Sequence, residues 1–229
     1  MLTPYYQEDG ITIYHGDCRD ILPSLKADVL VTDPPYGVNI GMPDVGRNGR
    51  SGKHGLRKGP YAIYQDTYEN FCDIVVPSLH HALTLVKRGA IFSGPHFQEL
   101  PKADVLGGVC CKAGSGRHRW GFKTFLPVLF YGTDPLLQYG ARPNVIHSSA
   151  VAEPNGHPCP KPLPWLSWLV NLTSLPHETI LDPFMGSGTT LLAAKDLSRP
   201  AIGIDIEERY CEIAAKRLSQ GVLALEFAD

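Results

Sequence analysis

From Thr179 to Asp205 the chain reads as strand, glycine turn, helix and strand. Thr179-Ile180-Leu181 is a short apolar run bounded by turn residues, and Asp182-Pro183-Phe184-Met185-Gly186-Ser187-Gly188-Thr189-Thr190 follows it. Leu191, Leu192, Ala194, Lys195 and Leu197 begin a helical pattern, and Ala201-Ile202-Gly203-Ile204 forms the next strand, closed by Asp205. Two strands with a helix between them run in the same direction, which commits the chain to an α/β fold with a mainly parallel sheet. Glycines at a strand-to-helix turn let a ligand approach backbone N–H groups closely. A dinucleotide fingerprint would place a third glycine three residues after Gly188, where Leu191 stands. That departure argues against a nicotinamide enzyme. An acid about 20 residues beyond such a loop, at the next strand tip, is placed to take ribose hydroxyls, and Asp205 occupies that position. Gly186 and Gly188 alone would read as a plain tight turn. Flanked by Asp182 and Asp205, they read as the loop of a nucleoside cofactor.

A second stretch carries chemistry of another kind. The apolar run Asp28-Val29-Leu30-Val31-Thr32 leads into Asp33-Pro34-Pro35-Tyr36 and then Gly37. Asp33 therefore lies at the carboxyl end of a buried strand, where open α/β sheets place their ligands. Each proline holds the residue before it extended and removes one backbone donor. The outcome is a stiff turn presenting a carboxylate, free carbonyls and an aromatic ring.

Together these stretches resemble the amino-group DNA methyltransferases that use S-adenosylmethionine. Asp33, Pro34, Pro35 and Tyr36 are similar to that family's catalytic motif, and Asp182, Phe184, Gly186, Ser187, Gly188 and Thr189 to its cofactor loop. The catalytic motif comes first and the cofactor loop last, an order that resembles the circularly permuted beta subgroup. The resemblance spans residues 11–218. It implies one class I methyltransferase-like, Rossmann-like domain, mainly parallel with an antiparallel edge strand, in which the strands ending at Asp33 and Asp182 are neighbours. It also implies methyl transfer to the N6 amino group of adenine in double-stranded DNA, the target base being flipped out of the duplex.

Further site residues follow from the same resemblance. Asp17 and Cys18, after the alternating run Ile11-Thr12-Ile13-Tyr14, match the position facing the cofactor's adenine, although a lone aspartate there also reads as a helix cap. Asp205 and Ile206 fall on the ribose side, and Asp33 borders the reactive end. Lys161, in His157-Pro158-Cys159-Pro160-Lys161-Pro162, belongs to a motif that helps enclose the methionine end. Three alternatives stay open: the cytosine N4 amino group, whose motif more often begins with serine; RNA as substrate; and a silent nucleic-acid-binding module.

The rest of the chain bounds these readings. Its 229 residues suffice for one α/β domain with a proper core, and 43% hydrophobic with 19% charged residues excludes wholesale disorder. No apolar run approaches the roughly 18 residues of a membrane span, and the start lacks a secretory pattern, so a cytoplasmic enzyme is expected. The six cysteines form no metal-type pairing, and no metal is expected. A net charge of −2 means any DNA-binding surface is local. Residues 37–60 carry Arg47, Arg50, Lys53, Arg57 and Lys58 against Asp44 alone, which suits contact with DNA phosphates. Arg117, Arg119 and Lys123, interleaved with Trp120 and Phe122, fit either a nucleic-acid surface or a hairpin covering the core.

Phe71, Ile74, Val75, Leu79, Ala82, Leu83 and Val86 recur at helical spacing, with Pro77 expected to kink or split the helix and Lys87-Arg88-Gly89 to end it. Residues 132–155 look irregular and fall where target recognition is expected. Their shortness implies a brief recognition sequence or specificity contributed by the second subunit of a homodimer.

Overall fold

The computed structural model describes residues 2–39, 63–111, 117–118 and 121–220, with the backbone only of Arg117, His118 and Phe122. Strands β1 (Tyr6–Glu8) and β2 (Ile11–His15), helix α1 (Cys18–Ile21) and strand β3 (Val29–Thr32) open the chain. Helix α2 (Tyr68–Asn70), a π-turn (Phe71–Val75) and α3 (Val76–Thr84) lead to β4 (Arg88–Phe92). Next come β5 (Val105–Cys111), β6 (Arg117–His118), β7 (Gly121–Phe122), β8 (Phe125–Tyr131) and β9 (Val145–Ser148). Helix α4 (Leu163–Thr173), β10 (Ile180–Asp182), α5 (Thr189–Asp196), β11 (Ala201–Asp205) and α6 (Glu208–Ser219) complete it.

Nine of these strands form one sheet in the order β1-β2-β11-β10-β3-β4-β8-β5-β9. The run from β2 to β4 is parallel throughout, whereas β1 joins antiparallel at one edge and β8 runs antiparallel between β4 and β5. The chain reverses direction across the sheet between β10 and β3, which pair with Ile180 opposite Val29. That is the switch point at which open sheets leave a crevice for ligands.

Both faces of the sheet are covered, which is why β3 is buried along its whole length rather than at alternate residues. Val29 and Val31 pack beneath Trp165, Leu169 and Val170 of α4, with Ala193 of α5 and Ala214 of α6 in the same cluster. Leu30 points the other way, into Ile21, Phe71, Val75 and Leu79.

Two local expectations change. The helix over 71–86 is not uniform: Pro77 sits in the first turn of α3, and the turn before it is π-helical. A proline cannot donate to the carbonyl four residues back, so the wider turn accommodates the missing bond. The helix then ends at Thr84, and Arg88 and Gly89 already belong to β4. Within 132–155, Val145–Ser148 is not irregular but pairs parallel with β5, Gly108 lying opposite Val145. A four-residue, half-buried edge strand carries too little alternation to be recognised alone.

Candidate active site

A cavity of about 400 Å³ opens at the carboxyl ends of β2, β3, β10 and β11. Its volume falls in the range of small-molecule and cofactor sites. Asp17, Cys18, Asp33, Pro34, Pro35, Tyr36, Lys161, Asp182, Phe184, Gly186, Ser187, Thr189, Asp205 and Ile206 all line it. Of the cofactor-loop residues singled out above, Gly188 does not. It caps α5 with φ +76°, a left-handed turn that a side chain would strain, and a Cβ there would come within 2.7 Å of Ala214.

The two motifs are tied together directly. The Thr32 hydroxyl donates to the Asp182 carboxylate at 2.6 Å across the tips of β3 and β10. The Phe184 N–H donates to the same Asp182 oxygen at 3.1 Å, and burial pushes this carboxyl up to about 6. Asp205 braces the loop from the other side, accepting from the N–H of Gly186 at 2.9 Å and of Glu207 at 2.8 Å. Burial raises its carboxyl to about 7. Asp205 thus lines the cavity while holding the turn in shape, and each oxygen keeps lone-pair capacity for a ligand hydroxyl. Asp17 acts as the cap of α1, accepting from the Arg19 N–H. The cap reading holds, and the same residue stands on the cavity wall.

At the β3 end, the Tyr36 hydroxyl donates to one oxygen of Asp33 and the Lys161 ammonium to the other. The Lys161 nitrogen lies 5.5 Å from the ring centroids of both Tyr36 and Phe92. Tyr36 itself rests on Gly94, where a Cβ would stand 2.6 Å from the Tyr36 Cβ and Cγ.

Several residues that shape this site carry no signal in the sequence alone. Gly203 lies on β11 under the loop, where a Cβ would meet Met185 and Leu191 at 2.6–2.7 Å. The close helix–strand packing that a third loop glycine provides in dinucleotide folds is supplied here from the neighbouring strand. The buried carboxylate of Asp66 accepts from the N–H of Gly37 at 2.7 Å and of Val38 at 3.2 Å. Buried Glu207 accepts from the Ile63 N–H at 2.6 Å. Gly37, Val38 and Ile63 are thus each held through their backbone N–H by a buried carboxylate.

A strap ahead of α4 closes over the glycine loop. The Asn155 side chain donates to the Ser187 hydroxyl at 2.9 Å, and the His157 N–H donates back to Asn155 at 3.1 Å. The His157 ring stacks edge-on against Tyr210 at 4.7 Å, and burial holds it down to about 4, so it is neutral near pH 7. From α6, the half-buried Arg217 donates to the Ser187 carbonyl at 2.5 Å and to the Thr189 hydroxyl at 3.2 Å.

The lining chemistry suits a ligand with hydroxyls and a cationic end. Among the described residues, five carboxylates, those of Asp17, Asp33, Asp182, Asp205 and Glu207, face two lining cations, Arg19 and Lys161. Arg47, Arg50, Lys53, Arg57, Lys58 and Arg119, and the side chain of Arg117, lie outside the described residues. Lys123 is half-buried between β7 and β8 and does not line the cavity. Among the described residues no helix is long and apolar enough to cross a membrane.

The chain is similar to known proteins over most of its length. Residues 127–216 match the profile of the N6_N4_Mtase family, described as DNA methylase. The Type II methyltransferase M2.LlaDCHI of Lactococcus lactis subsp. cremoris is 48% identical, the match covering 96% of this chain and 94% of the relative. The M1.HpyAVI–SAM complex superposes with a TM-score of 0.63 at 24% identity, covering 91% of this chain and 98% of that one. PvuII DNA methyltransferase, a cytosine-N4-specific enzyme, superposes with a TM-score of 0.64 at 15% identity over 97% of this chain and 90% of its own. At those identities the two structures testify to the fold alone. The near full-length relationship to M2.LlaDCHI goes further: this chain belongs to the amino-group DNA methyltransferases.

Proposed function

We propose that this protein transfers a methyl group from S-adenosylmethionine to the N6 amino group of adenine in double-stranded DNA, with the target base turned out of the helix. The observation that carries this reading is the Asp33 turn standing in the same cavity as the glycine loop, the two joined through Thr32 and Asp182. S-adenosylmethionine is the cofactor of the family and supplies a methyl group on a positively charged sulfur, a good leaving group. Gly186, Ser187 and Thr189 would hold it with Asp205 and Ile206, with Asp17 and Cys18 toward its base and Phe184 shielding one side.

The chain's own chemistry is mostly positioning. An exocyclic amino nitrogen is a poor nucleophile, because its lone pair is delocalised into the ring. With its hydrogens held by the Asp33 carboxylate and the Pro34 carbonyl, the nitrogen pyramidalises and its lone pair becomes directional. The same carboxylate offsets the positive charge that develops on the nitrogen. Tyr36 stacks on the extruded base. A carboxylate rather than a serine at the head of the turn favours adenine over cytosine. Arg47, Arg50, Lys53, Arg57 and Lys58 follow the Asp33 turn closely in sequence with Asp44 as the one acid among them, which supports a role on DNA phosphates.

Asp33→Ala tests the reading. Cofactor affinity by calorimetry should persist, while methyl transfer falls by at least the roughly 10²–10³-fold that follows loss of one preorganised transition-state partner. Mass spectrometry of digested DNA should find N6-methyladenine as the wild-type product. Near-normal turnover in the variant would reduce the turn to scaffold, and N4-methylcytosine would reassign the substrate.

A further inference from the structure

The catalytic carboxylate is doubly engaged. Tyr36 donates to one oxygen of Asp33 and Lys161 to the other, and the ammonium is mostly shielded from solvent, the Lys161 side chain being 14% exposed. A neutral amino group competes poorly for an oxygen already held by an ammonium, because charge-assisted hydrogen bonds are about twice as strong as neutral ones. A cation left on Asp33 would also repel the positive charge that develops on the target nitrogen. At about 4 Å in partly buried surroundings, that repulsion slows transfer on the order of 10³-fold. Lys161 must therefore give up its hold on Asp33 before the turn can serve a base.

What draws it away has to be an anion within reach. Lys161 and Arg19 are the cations among the described residues lining the cavity, and Arg19 is held on Asp17 by a bidentate pair at 2.6–3.1 Å. Lys161 ends the strap that begins at Asn155, whose side chain is bonded to Ser187 of the glycine loop. A ligand seated on that loop with a carboxylate at its far end would thus find Lys161 as its counter-ion.

We infer that Lys161 is a positioning residue that couples the two substrates. It caps Asp33 until a cofactor carboxylate recruits it, and only then does the turn accept the target base. This rests on the methyltransferase reading above and adds an order to it, cofactor before productive base capture. Because linkage is reciprocal, DNA must strengthen cofactor binding by the same factor.

The test uses S-adenosylhomocysteine, which carries the carboxylate but no transferable methyl, and 5′-(3-aminopropylthio)-5′-deoxyadenosine, the same molecule without the carboxylate. The duplex contains the sequence this protein methylates, found by modified-base sequencing of DNA from cells expressing it, with the target adenine intact and 2-aminopurine in the adjacent position, where it brightens when its neighbour leaves the stack. In the wild type, S-adenosylhomocysteine should raise duplex affinity and 2-aminopurine fluorescence by about 10-fold or more, within the usual 5–150-fold range of coupling between sites. The decarboxylated analogue should raise neither. Lys161→Met keeps the stem on Tyr36 and Phe92 but removes the charge, and should capture the base equally well with or without S-adenosylhomocysteine. Lys161→Gln serves in its place should the methionine variant melt below the assay temperature. Full coupling retained in the variant, or coupling by the decarboxylated analogue, overturns the latch and leaves the methyltransferase reading intact. Failure of S-adenosylhomocysteine to bind the wild type overturns both.

Discussion

Gly94→Ala isolates the geometry of the Asp33 turn from the chemistry proposed for it. The added Cβ would stand 2.6 Å from the Cβ and Cγ of Tyr36, against the 3.4 Å at which ordinary contact begins, a shortfall of about 0.8 Å. Rotating the tyrosine cannot relieve it, because the nearest atom is its Cβ, fixed to the backbone. The turn from Asp33 to Tyr36 must move as a piece, and the hydroxyl that donates to Asp33 moves with it. Overpacking of this size costs about 1–3 kcal/mol, and each kcal/mol lowers the melting temperature of a chain this long by about 2–4 °C. The catalytic cost is larger, since a misplacement near 1 Å can lower a rate by about 10²-fold. Cofactor affinity should change little, because Gly94 does not line the cavity. Single-turnover methyl transfer beside calorimetry with S-adenosylhomocysteine separates the two effects. Wild-type turnover in a folded Gly94→Ala protein would refute the claim that this contact sets the turn.

Two further outcomes follow from the loop and its strap. Arg217→Met removes a half-buried donor to Ser187 and Thr189, and should weaken cofactor binding by roughly the 1.5–3 kcal/mol of a hydrogen bond to a charged group; unchanged calorimetric affinity would show that α6 does not clamp the loop. His157 is held down to about 4, so the unfolded chain binds the extra proton between about pH 6.5 and 4, and stability gained from the neutral ring is lost as pH falls through that window. The stability difference between the wild type and His157→Gln should therefore shrink on acidification by about 1.4 kcal/mol per pH unit. Taking the difference cancels Asp182 and Asp205, whose raised values make stability fall as pH rises through the same range. A pH-independent difference in urea titrations would contradict the buried neutral histidine.

What the sequence disclosed and what it withheld divide by range. The Asp33 turn and the 182–205 unit are legible because strand, turn and cap chemistry act over a few residues, and both motifs occupy the expected strand ends. Even the switch point was legible, through the family's strand order. Gly203, Asp66 and Glu207 were not, because each matters only through a partner brought by the fold: Leu191 across a helix–strand contact, Gly37 across 29 residues, Ile63 across 144. Asp205 reads from its spacing as a ligand acceptor, whereas its bracing of the Gly186 N–H arises only once the fold sets the tip of β11 beside the loop. The β9 strand is illegible in the sequence for a related reason. Its residues have no pattern of their own, and β5 recruits them.

The order of strands in the sheet also dictates an order of assembly. β2 and β3 follow one another in the chain, yet β10 and β11 stand between them, arriving some 150 residues later. Until they do, β2 and β3 each present an unpaired edge, the kind of surface that templates wrong pairings in a nascent chain. Closing that gap requires contacts such as Ile180 with Val29, whose long loop entropy is spent before any burial rewards it, so the step is intrinsically slow. It is also the step that brings Asp182 to Thr32 and the glycine loop to the Asp33 turn. Ligand affinity and reactive geometry therefore emerge in a single late event, and a half-made chain has neither.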